Sequence, residues 1–149
     1  MVRKADALFS DPRWITFGLL RETYLALNGR IEADLARAGA PDQSITDLVF
    51  RLARTPGRAL RPGAITRALS TTTTRTTRIV DQAEAAGLVE RQADPTDRRA
   101  SQVVLTEAGL EMATTFGRVA LASAQRHLHD RLTSEQTETL EHLLRELRD

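Results

Sequence analysis

Thr71 to Thr77 holds six threonines and one arginine, and Arg78 follows directly. Threonine hydroxyls donate and accept hydrogen bonds, and their methyls pack on thymine. An arginine can grip O6 and N7 of guanine together, a pair worth roughly 1–3 kcal/mol of discrimination. Further along, Asp94-Pro95-Thr96-Asp97-Arg98-Arg99 places two adjacent arginines after a turn-opening Asp-Pro. From Arg54 to Val80 the chain carries six arginines (54, 58, 61, 67, 75, 78) and no acid, although its net charge is only +1. Such a stretch suits a polyanion on one face. The chain has twenty Arg and one Lys, so the missing acids carry more signal than the choice of Arg.

These residues need elements to hold them. The Thr run opposes a helix on propensity: six threonines cost about 3–4 kcal/mol relative to alanine. The residues after the run favour a helix. Ile79, Ala83 and Ala86 share a face, and Ala83-Glu84-Ala85-Ala86-Gly87 reads as a helix ending on a glycine. Local rules are broken where function demands particular side chains. On a wheel, Thr72, Thr76, Ile79, Ala83 and Ala86 face the core, while Thr73, Thr74, Thr77 and Arg78 face away. Arg75 lies at the flank, where phosphate is the nearer partner. Asp81 and Glu84 continue the outer face and would repel phosphate, so only the amino-terminal half can enter a groove.

Around that helix the chain reads as mainly α. Asp11-Pro12 starts a helix to about Ala38, with Phe17, Leu20, Tyr24, Leu27, Ile31 and Leu35 as its apolar stripe. Trp14, Leu19 and Leu25 lie off that stripe, which suggests two neighbours: its own core and a partner subunit. Ser44 and Asp47 resemble a capping box for a second helix with Ile45, Leu48, Val49 and Leu52 inward, closed by Thr55-Pro56-Gly57. Pro62-Gly63 opens a third helix through Leu69, with Arg61 as a poor cap. Leu88–Gln92 and Ser101–Leu105 read as a hairpin with Arg98 and Arg99 at its tip. Thr106-Glu107 caps a fifth helix, on which Leu110, Ala113, Phe116 or Gly117, Ala120, Ala124 and Leu128 recur. Thr133-Ser134-Glu135-Gln136 caps a sixth that buries Leu140, Leu143, Leu144 and Leu147.

Composition narrows the function. Cysteine is absent, which removes disulfides, thiolate metal sites and thiol redox sensing. No apolar run near 18 residues and no leader pattern occurs, which predicts a soluble, cytoplasmic protein with no membrane partner. His127, His129 and His142 do not form a metal-ligand pattern, and Asp94 and Asp97 fit turn chemistry better than acid–base catalysis. No Gly-rich phosphate loop, nucleophile elbow or HExxH motif is present, so neither an enzyme nor a cofactor is expected.

The segment Asp97-x-Arg99-xxx-Val103-x-Leu105-Thr106 resembles the wing signature of the MarR family of transcriptional regulators. The likeness extends through Thr77-Arg78-Ile79-Val80-Asp81, Ala86-Gly87-Leu88-Val89-Glu90-Arg91 and Thr106-Glu107-Ala108-Gly109, and the six-helix order fits as well. Two positions depart from the family pattern: Ala83 and Thr71 stand where larger apolar residues are usual. The resemblance implies one domain, with a winged helix-turn-helix over about 44–109 and dimerisation helices over about 11–39 and 110–149. It implies a homodimer on a palindromic operator in double-stranded DNA, most often a repressor, released when a small aromatic or phenolic ligand enters a cleft. It also implies that a wing arginine enters the minor groove, oriented by Asp97, with the roles of Arg98 and Arg99 not separated. The expected DNA-contacting set is Thr73, Thr74, Arg75, Thr77, Arg78, Asp97, Arg98 and Arg99. Trp14, Phe17, Tyr24, Phe50 and Phe116 are candidates for the ligand cleft, though core or dimer packing explains each one singly. The alternative is a winged-helix module that binds DNA or protein without a ligand.

Overall fold

The structure, a computed structural model, describes residues 9–95, 97 and 100–148. Its helices are α1 (Pro12–Arg37), α2 (Gln43–Ala53), α3 (Pro62–Ala68), α4 (Thr73–Ala85), α5 (Glu107–His127) and α6 (Ser134–Arg148). Three short strands, β1 (Ala59–Leu60), β2 (Val89–Ala93) and β3 (Ser101–Leu105), form an antiparallel sheet in the order β1-β3-β2. Register pairs Val89 with Leu105, Arg91 with Val103 and Ala93 with Ser101. Two compact units result: Leu35–Leu121 forms one, and the segments up to Asp34 and from Ala122 onward form the other.

The unit Leu35–Leu121 closes on a single apolar cluster. Leu48, Val49 and Leu52 of α2, Ile65 of α3, Ile79, Val80 and Ala83 of α4, and Val89, Val103 and Leu105 of the sheet are all buried in it, with Met112 and Ala113 of α5. Alternation along the strands turns Val103 and Leu105 inward, the period-two pattern of a half-buried sheet. β1 was not foreseen. Its two residues follow a turn in which Gly57 and Arg58 take left-handed φ of 71° and 54°, and so short a strand has no periodicity to read.

Several caps differ from expectation or sharpen it. α2 is capped by Asp42, not by a Ser44–Asp47 box. The Asp42 carboxylate accepts from the Ser44 backbone N–H at 2.9 Å, and a charged acceptor at a helix N-terminus gains from the dipole as well. Asp47 instead accepts from Gln43 Nε2. The Thr133–Gln136 box forms in both directions, at 3.2 and 2.9 Å. Thr106 Oγ1 accepts from Gly109 N and donates to the Gly87 carbonyl, tying the start of α5 to the turn after α4. There a side chain would force the backbone to shift: a Cβ at Gly109 would stand 2.1 Å from the Leu88 carbonyl oxygen.

In the other unit the buried Asp34 of α1 is the fastening point. Its Oδ2 accepts from the fully buried Ser123 Oγ at 2.6 Å and from Arg126 Nη2 at 2.8 Å, both on α5. The inward stripe expected on α1 is only partly inward. Leu27 and Ile31 are half-buried, whereas Trp14, Phe17, Leu20 and Tyr24 are exposed. On α6, Leu143, Leu144 and Leu147 are exposed rather than buried, and only Leu140 is half-buried. Among the described residues no helix is long and apolar enough to cross a membrane.

Candidate nucleic-acid interface

α4 forms despite its threonines because three of them are used structurally. Thr72 is the N-cap, with extended backbone and its Oγ1 accepting from Arg75 N at 3.3 Å. Thr76 is buried, and its hydroxyl meets Thr66 Oγ1 of α3 at 2.9 Å. Thr66 donates its own proton to the Pro62 carbonyl, so Thr76 is the donor between them. Thr77 Oγ1 donates back to the Thr73 carbonyl at 3.1 Å, and this exposed hydroxyl keeps its capacity to accept. The inward stripe is Thr76, Ile79, Val80 and Ala83. Thr72 and Ala86, expected inward, are both exposed. Each stands at a helix end, where cap geometry breaks the wheel's phase.

Thr73, Thr74, Arg75, Thr77 and Arg78 are all exposed and lie within the first two turns of α4. Arg75 reaches the first turn of α2, where its Nη2 lies 3.4 Å from Ser44 Oγ. Between α2 and α4 opens a hollow of about 690 Å³ that includes Thr74, Arg75, Arg78 and Gln82 in its lining. The other arginines of the acid-free stretch, Arg54, Arg58, Arg61 and Arg67, are exposed as well.

Asp81 and Glu84 are not bare acids on the outer face, as expected, but partners of one arginine. Arg91 of β2 donates to Asp81 Oδ1 at 2.5 Å and to Glu84 Oε2, and its backbone N–H donates to Glu84 Oε1 at 3.1 Å. The Asp81 hydrogen bond is the leading cause that raises the Arg91 guanidinium above its ordinary pKa, with the Glu84 charge adding to it. The sequence alone assigns Arg91 no role, because its partners lie seven and ten residues back and meet it only once β2 folds against α4.

The base of the wing is anchored by Asp94. Its Oδ1 accepts from the Asp97 backbone N–H, the turn chemistry expected, and its Oδ2 accepts from Arg61 Nε at 2.7 Å. That carboxylate is buried while Arg61 is half exposed, and the bond to Asp94 raises the Arg61 guanidinium pKa. Arg61 thus makes no side-chain cap on α3 and instead joins α3 to the wing. The exposed Asp97 accepts from Ala100 N through its carbonyl. Arg98 and Arg99 lie outside the described residues.

The aromatic candidates divide between the units. Trp14 packs edge-on against Phe17 on the exposed face of α1, with ring centroids 5.9 Å apart. Phe116 packs against the apolar cluster. Phe50 lines a hollow of about 290 Å³ with Ala53, Arg54, Ala113, Gly117 and Leu121. Among the described residues no group of three or more His, Cys, Asp or Glu is arranged to hold a metal ion.

Comparison with known proteins agrees with this fold. Residues 36–100 match the model of the MarR family. AbsC, a MarR family transcriptional regulator from Streptomyces coelicolor, is 26% identical over 93% of each chain, with a TM-score of 0.78. Sco3205, a MarR family transcriptional regulator of the same organism solved in complex with DNA, is also 26% identical. The match covers 91% of this chain and 84% of Sco3205, with a TM-score of 0.75. BpsR from Bordetella bronchiseptica, whose DNA binding is regulated by 6-hydroxynicotinic acid, shares the fold alone: 20% identity, 89% and 91% coverage, TM-score 0.71. No curated protein matches the chain.

Proposed function

We propose that this chain, a MarR-family winged helix-turn-helix protein by its match over residues 36–100 and by its fold, is a non-enzymatic, sequence-specific transcriptional regulator. It acts as a homodimeric repressor on a palindromic operator and is relieved by a small aromatic ligand. One observation carries the DNA reading: α4 exposes Thr73, Thr74, Thr77 and Arg78 together at its amino-terminal end while Thr76, Ile79, Val80 and Ala83 hold it to the core. That end enters the major groove, as recognition helices do. Arg78 pairs with guanine, and the threonines offer oxygen and methyl to neighbouring bases. Arg75 meets phosphate, and a wing arginine, Arg98 or Arg99 with Asp97 beside it, enters the minor groove.

Residues 44–109 supply this reading half, and the helices over 11–39 and 110–149 supply the dimer. Supporting the dimer are the exposed Trp14, Phe17, Leu20 and Tyr24 of α1 and Leu143, Leu144 and Leu147 of α6, large apolar side chains grouped on two helices rather than scattered singly. Supporting a ligand is the hollow beside Phe50, whose apolar lining and exposed Arg54 suit a ring carrying an acid group. The test is a binding titration on the DNA upstream of the protein's own gene, against random DNA, repeated with a panel of hydroxybenzoic acids. Selective binding relieved by one acid is expected. Equal binding to both DNAs would defeat the regulator reading, and selective binding that no acid relieves would favour a ligand-independent module.

A further inference from the structure

If α4 and the wing meet DNA in different grooves, as the proposed function requires and as this inference assumes, their relative angle matters. By chain connectivity they are joined only through Ala86, Gly87 and Leu88. Gly87 takes a φ of +73° there, a conformation in which glycine is soft where other residues are confined. The inner end of the sheet is held to α4 by the apolar cluster that Val89, Val103 and Leu105 share with Ile79, Val80 and Ala83. Beyond Val89, β2 is exposed, and Arg91 is placed to fasten that outer stretch to α4.

Arg91 stands on β2, three residues before the wing base at Asp94, and in register with Val103 of the returning strand. Its guanidinium joins Asp81 and Glu84, one turn apart on the outer face of α4, and its backbone N–H also donates to Glu84. Two guanidinium bonds to two carboxylates fix the arginine's plane as one bond cannot, and the backbone bond ties β2 itself to Glu84. The geometry points to Arg91 as a positioning residue, a strut that holds the wing at a set angle to the recognition helix so that both grooves are read in one docking. Arg91 itself touches no base.

A simpler role would be charge masking, since the same contacts cover two acids that would repel phosphate. The two roles separate by experiment. The chain has no cysteine, so Gln82→Cys on α4 and Ser101→Cys on β3 carry spin labels at two sites alone. Labelled protein is diluted in excess unlabelled protein so that only distances within one chain are read. With Arg91 the distance distribution is narrow, and Arg91→Met broadens it without DNA present. On DNA, Arg91→Met lowers the operator-to-random affinity ratio about five-fold, the size expected for a partly exposed ion-pair network. Adding Asp81→Asn and Glu84→Gln removes the acids that would need masking, and the ratio stays low. An unchanged distance distribution in Arg91→Met, or full recovery of the ratio in the triple variant, would overturn the strut. A loss of operator preference in the unsubstituted protein would defeat the DNA reading instead, and the titration of that protein alone reveals it.

Discussion

Arg75 and Arg78 lie three residues apart on one helix, yet their surroundings differ. Arg78 is exposed beside Thr74 along the hollow, whereas Arg75 leans back toward Ser44 of α2. A side chain held against a neighbouring element suits the backbone of DNA, while one projecting from the first two turns suits base edges. Arg78→Ala is therefore expected to cost about 1–3 kcal/mol on operator DNA and far less on random DNA. Arg75→Ala should weaken both alike. Titration of each variant on both DNAs decides the matter, and equal losses for Arg78→Ala would refute its assignment to a base. Gly109 makes a different prediction. An added Cβ would collide with the Leu88 carbonyl oxygen and with Leu105 Cδ1 at 2.6 Å, and backbone cannot rotate away as a side chain does. Gly109→Ala should lose about 3 kcal/mol and roughly 10 °C of melting temperature. A thermal melt within about 2 °C of the unsubstituted protein would contradict the close approach.

Elements were legible where a long run kept its period, and illegible where partners came from elsewhere in the chain. In α4 the wheel separated Ile79 and Ala83 from Thr73, Thr74, Thr77 and Arg78 because thirteen residues keep one phase. It misplaced Thr72 and Ala86, where caps leave that phase, and missed Val80 because the buried stripe is wider than one line of residues. The fastenings between elements could not be read at all. Arg61 meets Asp94 across 33 residues and Asp34 meets Ser123 across 89, distances over which sequence carries no periodic signal. The latter contact has a measurable weight. Asp34→Ala would leave the fully buried Ser123 hydroxyl without this acceptor, while the exposed Arg126 would return to water. The expected loss is about 1–3 kcal/mol in urea unfolding, with Asp34→Asn losing less because it keeps an acceptor oxygen. If Ser123→Ala added its full single-variant cost on top of Asp34→Ala, the two side chains would not be coupled as placed.

At the scale of the molecule, apolar patterning on α1 and α6 predicted a buried face on each helix but not what covers it. Within one chain, Phe17, Tyr24, Leu143 and Leu147 are left exposed, and the proposed cover is a second copy. Salt dependence offers a way to count copies on the DNA itself. Each phosphate contact releases counterions, so the slope of log affinity against log salt changes by about 0.9 per contact on duplex DNA. One Arg75 per chain meeting one phosphate gives a homodimer two such contacts. Arg75→Ala should thus flatten the slope by about 1.8 if two copies sit on the operator, and by about 0.9 if one does. Random DNA should show the same change, since phosphate contacts are blind to sequence. Titrations from about 50 to 200 mM salt, a range over which several contacts alter affinity by orders of magnitude, separate the two values. A change near 0.9 would place a single copy on the site and remove the palindromic operator from the proposal. A change near 1.8 would predict two recognition helices roughly 34–36 Å apart, one turn of the duplex. Lengthening the operator's centre by half a turn should then abolish selective binding, because one helix would face the wrong side of the DNA.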